Sequence, residues 1–229
     1  MTVRIPSREE FAQIIDDILI PSFPATERPD RSGFLEMFDD GIIFPLASFV
    51  DNQPVAISLS IWDFSGQTTA PADVVLIAWL AVGQAGRGKG VGSSLLHETV
   101  NALSQRHDPL LILLEVEDPQ IHTLVSEYGN PAARIRFYEH AGAHKIDIPF
   151  AMPREDLSQD VLPGMLLYGI GGRALAQADP QSVDIGKQLA DFLRAYALAA
   201  AEPQSDDGSF THPEIERMMQ YAPKARFIG

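Results

Sequence analysis

Four glycines at alternate positions, Gly86, Gly88, Gly90 and Gly92, follow an apolar stretch that ends Leu80-Ala81-Val82. They run without a break into Ser93-Ser94-Leu95-Leu96, which opens an amphipathic segment. The pattern reads as a strand that turns through glycine directly into a helix. Removing side chains from such a turn exposes the first amides of the helix, which lack intrahelical partners and carry partial positive charge. With Arg87 and Lys89 beside them, these amides are suited to holding phosphate.

Spacing separates three kinds of phosphate loop. Gly83-x4-Gly88-Lys89 imitates the start of a P-loop, but Gly90 stands where a Ser or Thr hydroxyl would hold magnesium. The dinucleotide fingerprint G-x-G-x-x-G needs a glycine three residues after its second one. Counting from Gly86 that position is Val91, and from Gly88 it is Ser93. The remaining pattern, Q/R-x-x-G-x-G/A, is met by Arg87-x-x-Gly90-x-Gly92. With the preceding Leu80-Ala81-Val82, it resembles the acetyl-CoA loop of the GCN5-related N-acetyltransferases, the GNAT superfamily. A later segment, with Asn130, Ala133, Tyr138 and Gly142-Ala143, is similar to a second helix of that superfamily. It follows an apolar strand reading Leu-Ile-Leu-Leu-Glu-Val. The resemblance extends over residues 5 to 170.

The resemblance implies a division of labour. The amides of Gly88, Lys89, Gly90, Val91, Gly92 and Ser93 hold the pyrophosphate of acetyl-CoA, with charge from Arg87 and Lys89. The backbone of Leu80, Ala81 and Val82 pairs with the pantetheine arm like an extra strand, where neighbouring strands splay apart. Asn130 bonds that arm or the loop near it, although as an N-cap before Pro131 it also has a purely structural role. Tyr138 is the general acid that protonates the departing thiolate.

The acceptor side is read from the residues. Glu115 and Glu117 lie two apart on a strand and share a face, so either could take a proton from an ammonium, directly or through water. Ordered water alone is the competing source of a base. From Glu115 to Tyr128 there are four acids and no Lys or Arg. Asp118 and Glu127 could therefore recognise a cationic acceptor, and His122 could bind it or act as base. A solvated acidic loop accounts for the same residues without function. Phe23, Trp62, Phe64 and Trp79 are candidates for an apolar acceptor wall, or ordinary core. The histidines show no metal-ligand spacing, so no metal is expected.

Composition bounds the rest. The 229 residues, 45% hydrophobic, suffice for one full core and an appendage. No apolar run reaches the about 18–20 residues of a membrane helix. The N-terminus, with Arg4, Arg8, Glu9 and Glu10, does not read as a signal peptide. Absence of cysteine excludes disulfides, thiolate metal sites and a cysteine nucleophile. A cytoplasmic protein is the expectation. The net charge of −14 argues against a nucleic-acid partner. Residues 1–172 carry 23 acids against 11 bases, either a solubilising surface or a field that attracts an amine.

These motifs need elements to position them. Ser7-x-x-Glu10 is a capping box before a helix with Phe11, Ile14, Ile15 and Ile18 on one face, ended by Pro21 and Pro24. A short helix is expected over 32–38, then a hairpin of 44–50 and 55–62 across Asp51-Asn52-Gln53. A polar loop, 66–72, leads to a strand over 74–82. The glycine turn starts a helix burying Val91, Leu95, Leu96, Val100 and Leu103, and 110–116 reads as a strand covered on both faces. Residues 117–129 lengthen the connection to Asn130 and read as a cover over the acceptor entrance. Strands over 143–150 and 165–170 follow, joined through 156–164, and helices over 183–200 and 213–221 finish the chain.

The expected fold is α/β (α+β), a central mixed, mostly antiparallel, splayed sheet flanked by helices. Residues 1–172 form the acetyltransferase domain, and 173–229 a helical extension packed on that domain or on a partner, the superfamily's frequent dimers implying a homodimer. The function expected is acetyl-CoA-dependent transfer to the primary amine of a small, cationic acceptor, by direct attack in a ternary complex. A non-catalytic acyl-CoA-binding module and a protein or peptide acetyltransferase are the alternatives. No nucleic acid or membrane partner is expected.

Overall fold

The computed structural model describes residues 1–64, 72–123, 129–153, 161 and 164–228. Strand β1 (Thr2–Arg4) leads to α1 (Arg8–Ile14), opened by the capping box. The Ser7 hydroxyl accepts from the Glu10 amide at 3.2 Å, and the Glu10 carboxylate accepts from the Ser7 amide at 2.7 Å. The helix does not stop at Pro21. It widens into a π-helical stretch, Ile15–Leu19, and closes with the short α2 (Ile20–Ser22), which contains Pro21. The chain turns extended at Phe23, the residue that Pro24 restricts. Helix α3 (Arg31–Asp39) follows, capped by Asp30.

Strands β2 (Phe44–Val50) and β3 (Gln53–Ile61) form the hairpin. Its turn is the pair Asp51-Asn52, both at positive φ (51° and 61°), with Gln53 already opposite Val50. This is the backbone of a two-residue type I′ turn, one residue tighter than the sequence predicts. The segment expected as a polar loop, 66–72, lies outside the described residues except for Ala72.

Strand β4 (Val74–Val82) determines the architecture of the site. It pairs antiparallel with β3 and parallel with β5 (Leu111–Glu117), the latter only from Val74–Ile77 against Leu111–Leu114. Opposite β3, Leu59 faces Trp79 while Ser60 faces Ile77, so Ala78 is an extra residue, a β-bulge. The bulge switches which face the side chains occupy. Before it, Val75 and Ile77 pack with Leu96 and Tyr138 on one face. After it, Trp79 and Ala81 pack with Phe11 and Phe34 in another cluster. The strand bends there, and Ala78–Val82 diverge from Glu115–Glu117.

Helix α4 (Val91–His107) buries Val91, Leu95, Leu96 and Leu103 against the sheet, with Val100 half-buried. Helix α5 (Pro131–His140) follows the long connection, of which 124–128 lie outside the described residues. Instead of a strand over 143–150 there is a three-residue β6 (His144–Ile146). Ile148 and Phe150 still enter the core, but from irregular backbone that no longer alternates. Strand β7 (Met165–Gly171) pairs with β5 and β6, and most of the connection before it is undescribed.

The C-terminal segment lies on the sheet. Helices α6 (Gly186–Ala199) and α7 (Pro213–Tyr221) bury Leu189, Leu193, Ile215 and Met218 in the cluster that holds Leu76, Leu113 and Leu167. Each such side chain contributes about 1.5–3 kcal/mol of burial. A Cβ on Gly186 would collide with the Pro223 carbonyl, so glycine lets α6 reach the turn after α7. The chain then adds a strand with no sequence signal of its own, β8 (Phe227–Ile228), beside β6. The sheet order is β1-β2-β3-β4-β5-β7-β6-β8, with β4–β5 its one parallel pair among the described strands. No helix among the described residues is long and apolar enough to cross a membrane.

Candidate active site

The glycine turn folds as a cradle. After β4 comes a 3-10 turn, Gln84–Gly86, then Gly88 and Gly90, both at φ +73°. That left-handed geometry is open to glycine and strained for other residues. A Cβ at Gly88 or Gly90 would meet nothing within 4 Å, so both face open space, while a Cβ at Gly92 would come within 3.1 Å of Val82 Cγ2. Gly92 therefore lets α4 start close against β4. The result is a pocket of about 270 Å3 lined by Val82, Gly86–Gly88, Gly90–Ser93 and Phe137. Gly90 caps the 17-residue helix with no side chain over its first amides. Arg87 Nε donates to the Val82 carbonyl at 3.2 Å and Lys89 Nζ to the Ala85 carbonyl at 2.8 Å. Both cations brace the loop. Backbone N–H groups, helix-end charge and the pocket-lining Arg87 are donors that suit a pyrophosphate.

A second cleft, of about 360 Å3, occupies the divergence of β4 and β5. Leu80 lines it, Val82 lines the glycine pocket, and on α5 Tyr138 faces the cleft while Phe137 faces the pocket. The edge of β4 beyond its pairing with β5 thus joins the two. Tyr138 is 8% exposed, and burial pushes its phenol up to about 12, against a smaller downward pull from Arg134. Its hydroxyl keeps its proton across the physiological range.

Glu115 and Glu117 both line the cleft from β5. Glu117 is held by Arg134 Nη2 at 2.5 Å, and His122 Nδ1 lies 3.8 Å from its other oxygen. Sequence reading missed two groups. Arg134 sits four residues before Tyr138, on the same helical face, a signal that was there to be used. Glu27 has no motif around it. It reaches the cleft because the Trp79 indole N–H donates to its carbonyl at 3.0 Å, and because Arg28 Nε bonds the Phe23 carbonyl at 3.0 Å. Burial holds the Glu27 carboxyl above its ordinary range. Glu117 pushes the same way, and Arg134 and His122 oppose it.

Other expected residues fall elsewhere. Asp118 is not among the cleft-lining residues. Its carboxylate accepts from the Gln120 amide at 2.8 Å and its carbonyl from the His122 amide, so it shapes the turn after β5. Glu127 lies outside the described residues. Asn130 caps α5, its side chain accepting from the Ala133 amide at 3.2 Å. Phe23, Phe64 and Trp79 line the cleft, whereas Trp62 packs against His107, with ring centroids 4.3 Å apart. The end of α6 supplies a wall that the sequence did not announce: Tyr196, Ala199, Ala200 and Ala201.

No protein-family model matches the sequence, and no curated protein matches it significantly. Solved structures do. A Bacteroides thetaiotaomicron protein described as an acetyltransferase from the GNAT family superposes with a TM-score of 0.59 at 22% identity, over 86% of this chain and 99% of that one. Weaker likenesses include a Brucella melitensis ribosomal-protein-alanine N-acetyltransferase (TM-score 0.49, 16% identity, 74% and 98% covered). Another is a GNAT-like decarboxylase in complex with isobutyryl-CoA (TM-score 0.49, 14% identity, 75% and 100% covered). The splayed sheet, with a glycine cradle at the end of its divergent strand, is the GNAT fold. The likeness to the Bacteroides thetaiotaomicron structure is one of fold.

Proposed function

We propose that the protein is an acyl-CoA-dependent N-acyltransferase, using acetyl-CoA, that acts on the primary amine of a small, cationic acceptor. The observation that carries this reading is the continuity of the glycine cradle, the β4 edge that β5 does not pair and the cleft holding Tyr138 and the carboxylates. Bound acyl-CoA supplies an activated thioester, whose carbonyl carbon bonds to the amine nitrogen as its C–S bond breaks. The cradle amides and Arg87 hold pyrophosphate, and Leu80–Val82 offer backbone N–H and C=O groups to the arm. The Tyr138 hydroxyl donates its proton toward the leaving sulfur. Glu115, Glu117 and Glu27 attract the ammonium, and one of them takes its proton directly or through water. The end of α6 walls the acceptor side, which favours a small molecule over a peptide lying across the site.

Thiol release from acetyl-CoA, measured against amines, polyamines, amino acids, aminoglycosides and a lysine peptide, tests the reading. Turnover with one class is expected, falling about 100-fold or more in kcat for Tyr138→Phe. Acetyl-CoA binding without turnover would instead favour a sensor, and no binding would remove the donor site.

A further inference from the structure

The acyltransferase reading leaves the body of the acceptor open, and the walls of the cleft bear on it. Charge is confined to a few side chains. Apart from its tyrosines, the ionisable groups among the described lining residues are Glu27, Glu115, Glu117 and Arg134. Arg134 pairs with Glu117 at 2.5 Å, Glu115 stands two residues earlier on β5, and Glu27 lines the same cleft. Elsewhere the wall is apolar. Phe64 stacks on Tyr196 of α6, ring centroids 4.8 Å apart and planes within 4°, and Met152 and Met165 line the same cleft. Past Tyr196 the wall is made by small side chains, Ala199 at the end of α6 and Ala200 and Ala201 just after it.

The volume, about 360 Å3, is at the low end of the roughly 300–1,000 Å3 typical of ligand pockets, and the thioester end of the donor takes part of it. Resting on the acyltransferase reading, we propose that the acceptor is a monoamine on one compact apolar body. Its ammonium sits among the carboxylates, and its body lies against the Phe64–Tyr196 wall below Ala199 and Ala200. The C-terminal segment thereby sets acceptor size. A polyamine or aminoglycoside would press further polar groups onto the apolar wall, at about 1–3 kcal/mol for each group left without a partner. A long acyl chain in the same space would lay hydrocarbon against the carboxylates.

Benzylamine, spermidine and a lysine peptide are compared in two assays of the full chain: calorimetric binding to its CoA complex, and thiol release from acetyl-CoA. Benzylamine is expected to bind tightest and to exceed the others in kcat/KM by about tenfold or more. Ala200→Leu fills the space and is expected to raise the benzylamine KM about tenfold, with the acetyl-CoA KM moving less than about twofold. Tyr196→Ala, which opens the wall instead, is expected to weaken benzylamine as well, so the proposal does not depend on one variant folding. Preference for spermidine or the peptide overturns it. So does an Ala200→Leu effect on butyryl-CoA against acetyl-CoA that leaves benzylamine unchanged. If no amine gives thiol release, the acyltransferase reading fails by itself. Benzylamine binding to the CoA complex would then still support a compact apolar amine as the ligand of the cleft, and its absence would overturn that too.

Discussion

The glycine cradle and the cleft proposed for the acceptor meet at β4, yet they are built in opposite ways. The cradle is nearly contiguous in sequence, Val82 to Ser93 with Phe137 added, and it works through backbone. The cleft draws side chains from points between Phe23 and Ala201, and it works through their charge and shape. A backbone site depends on a few dihedral angles that act together. A side-chain site divides its task among residues that can be removed one at a time. Damage to the first should therefore be large and concentrated, and damage to the second smaller and graded.

The largest effect is expected at Gly90. A β-branched residue at φ +73° costs about 2–3 kcal/mol. Relief of that strain would turn the helix amides away from the pocket. Gly90→Val should thus weaken acetyl-CoA about 100-fold by calorimetry. An unchanged Kd would remove the cradle as the donor site and dissolve the contrast. Single carboxylates should do less. Glu117→Gln leaves Arg134 without its 2.5 Å partner inside the cleft, where it would repel an ammonium, and should raise the amine KM about tenfold. Glu27→Gln removes a charge that is not in that pair, and about threefold is expected.

Glu27 also gives the pH dependence a sign. Its carboxyl lies above the ordinary value, so as pH falls it is protonated before a free glutamate would be, and one attraction for the ammonium is lost. The amine KM should therefore begin to rise at a pH above 4.5, from a lower neutral-pH baseline in wild type than in Glu27→Gln, and less steeply in the variant. Identical limbs in the two proteins would show that Glu27 does not face the acceptor.

The same contrast explains what could be read from sequence. Arg87-x-x-Gly90-x-Gly92 is legible because a run of glycines between a strand and a helix has few other uses. Tyr138 is legible as a cleft residue by its spacing on α5, and Asn130 as the cap before Pro131. The bulge at Ala78 is not, because it is defined by what β3 places opposite β4, and nothing in Ile77-Ala78-Trp79 marks it. Glu27 is invisible for a similar reason: it enters the cleft through the bond from Trp79, 52 residues away. An acid after a strand, such as Asp118, reads equally well as a ligand or as a turn residue, and here its carboxylate accepts a bond within the turn. Strand β8 has only two residues, too few for any periodicity.

The smallest effect is a control that touches neither half. Ser7 and Glu10 cap α1, and the same chain continues to Phe23 and the acceptor wall. Ser7→Ala removes a cap worth about 1 kcal/mol and should lower Tm by about 2–4 °C. Both KM values should hold, because the capping box is at the far end of the helix from Phe23. A rise in the amine KM alone would mean that the acceptor half is soft enough to feel helix fraying, unlike the braced cradle. Glu10 supplies the pH check. Hydrogen bonds from Arg4 and the Ser7 amide lower its carboxyl from 4.5 to about 2, so its contribution is complete above pH 4.5 and is lost as pH falls toward 2. The Tm gap between wild type and Glu10→Gln should accordingly narrow below pH 4.5, while the Ser7→Ala gap, which involves no titrating side chain at residue 7, should narrow less.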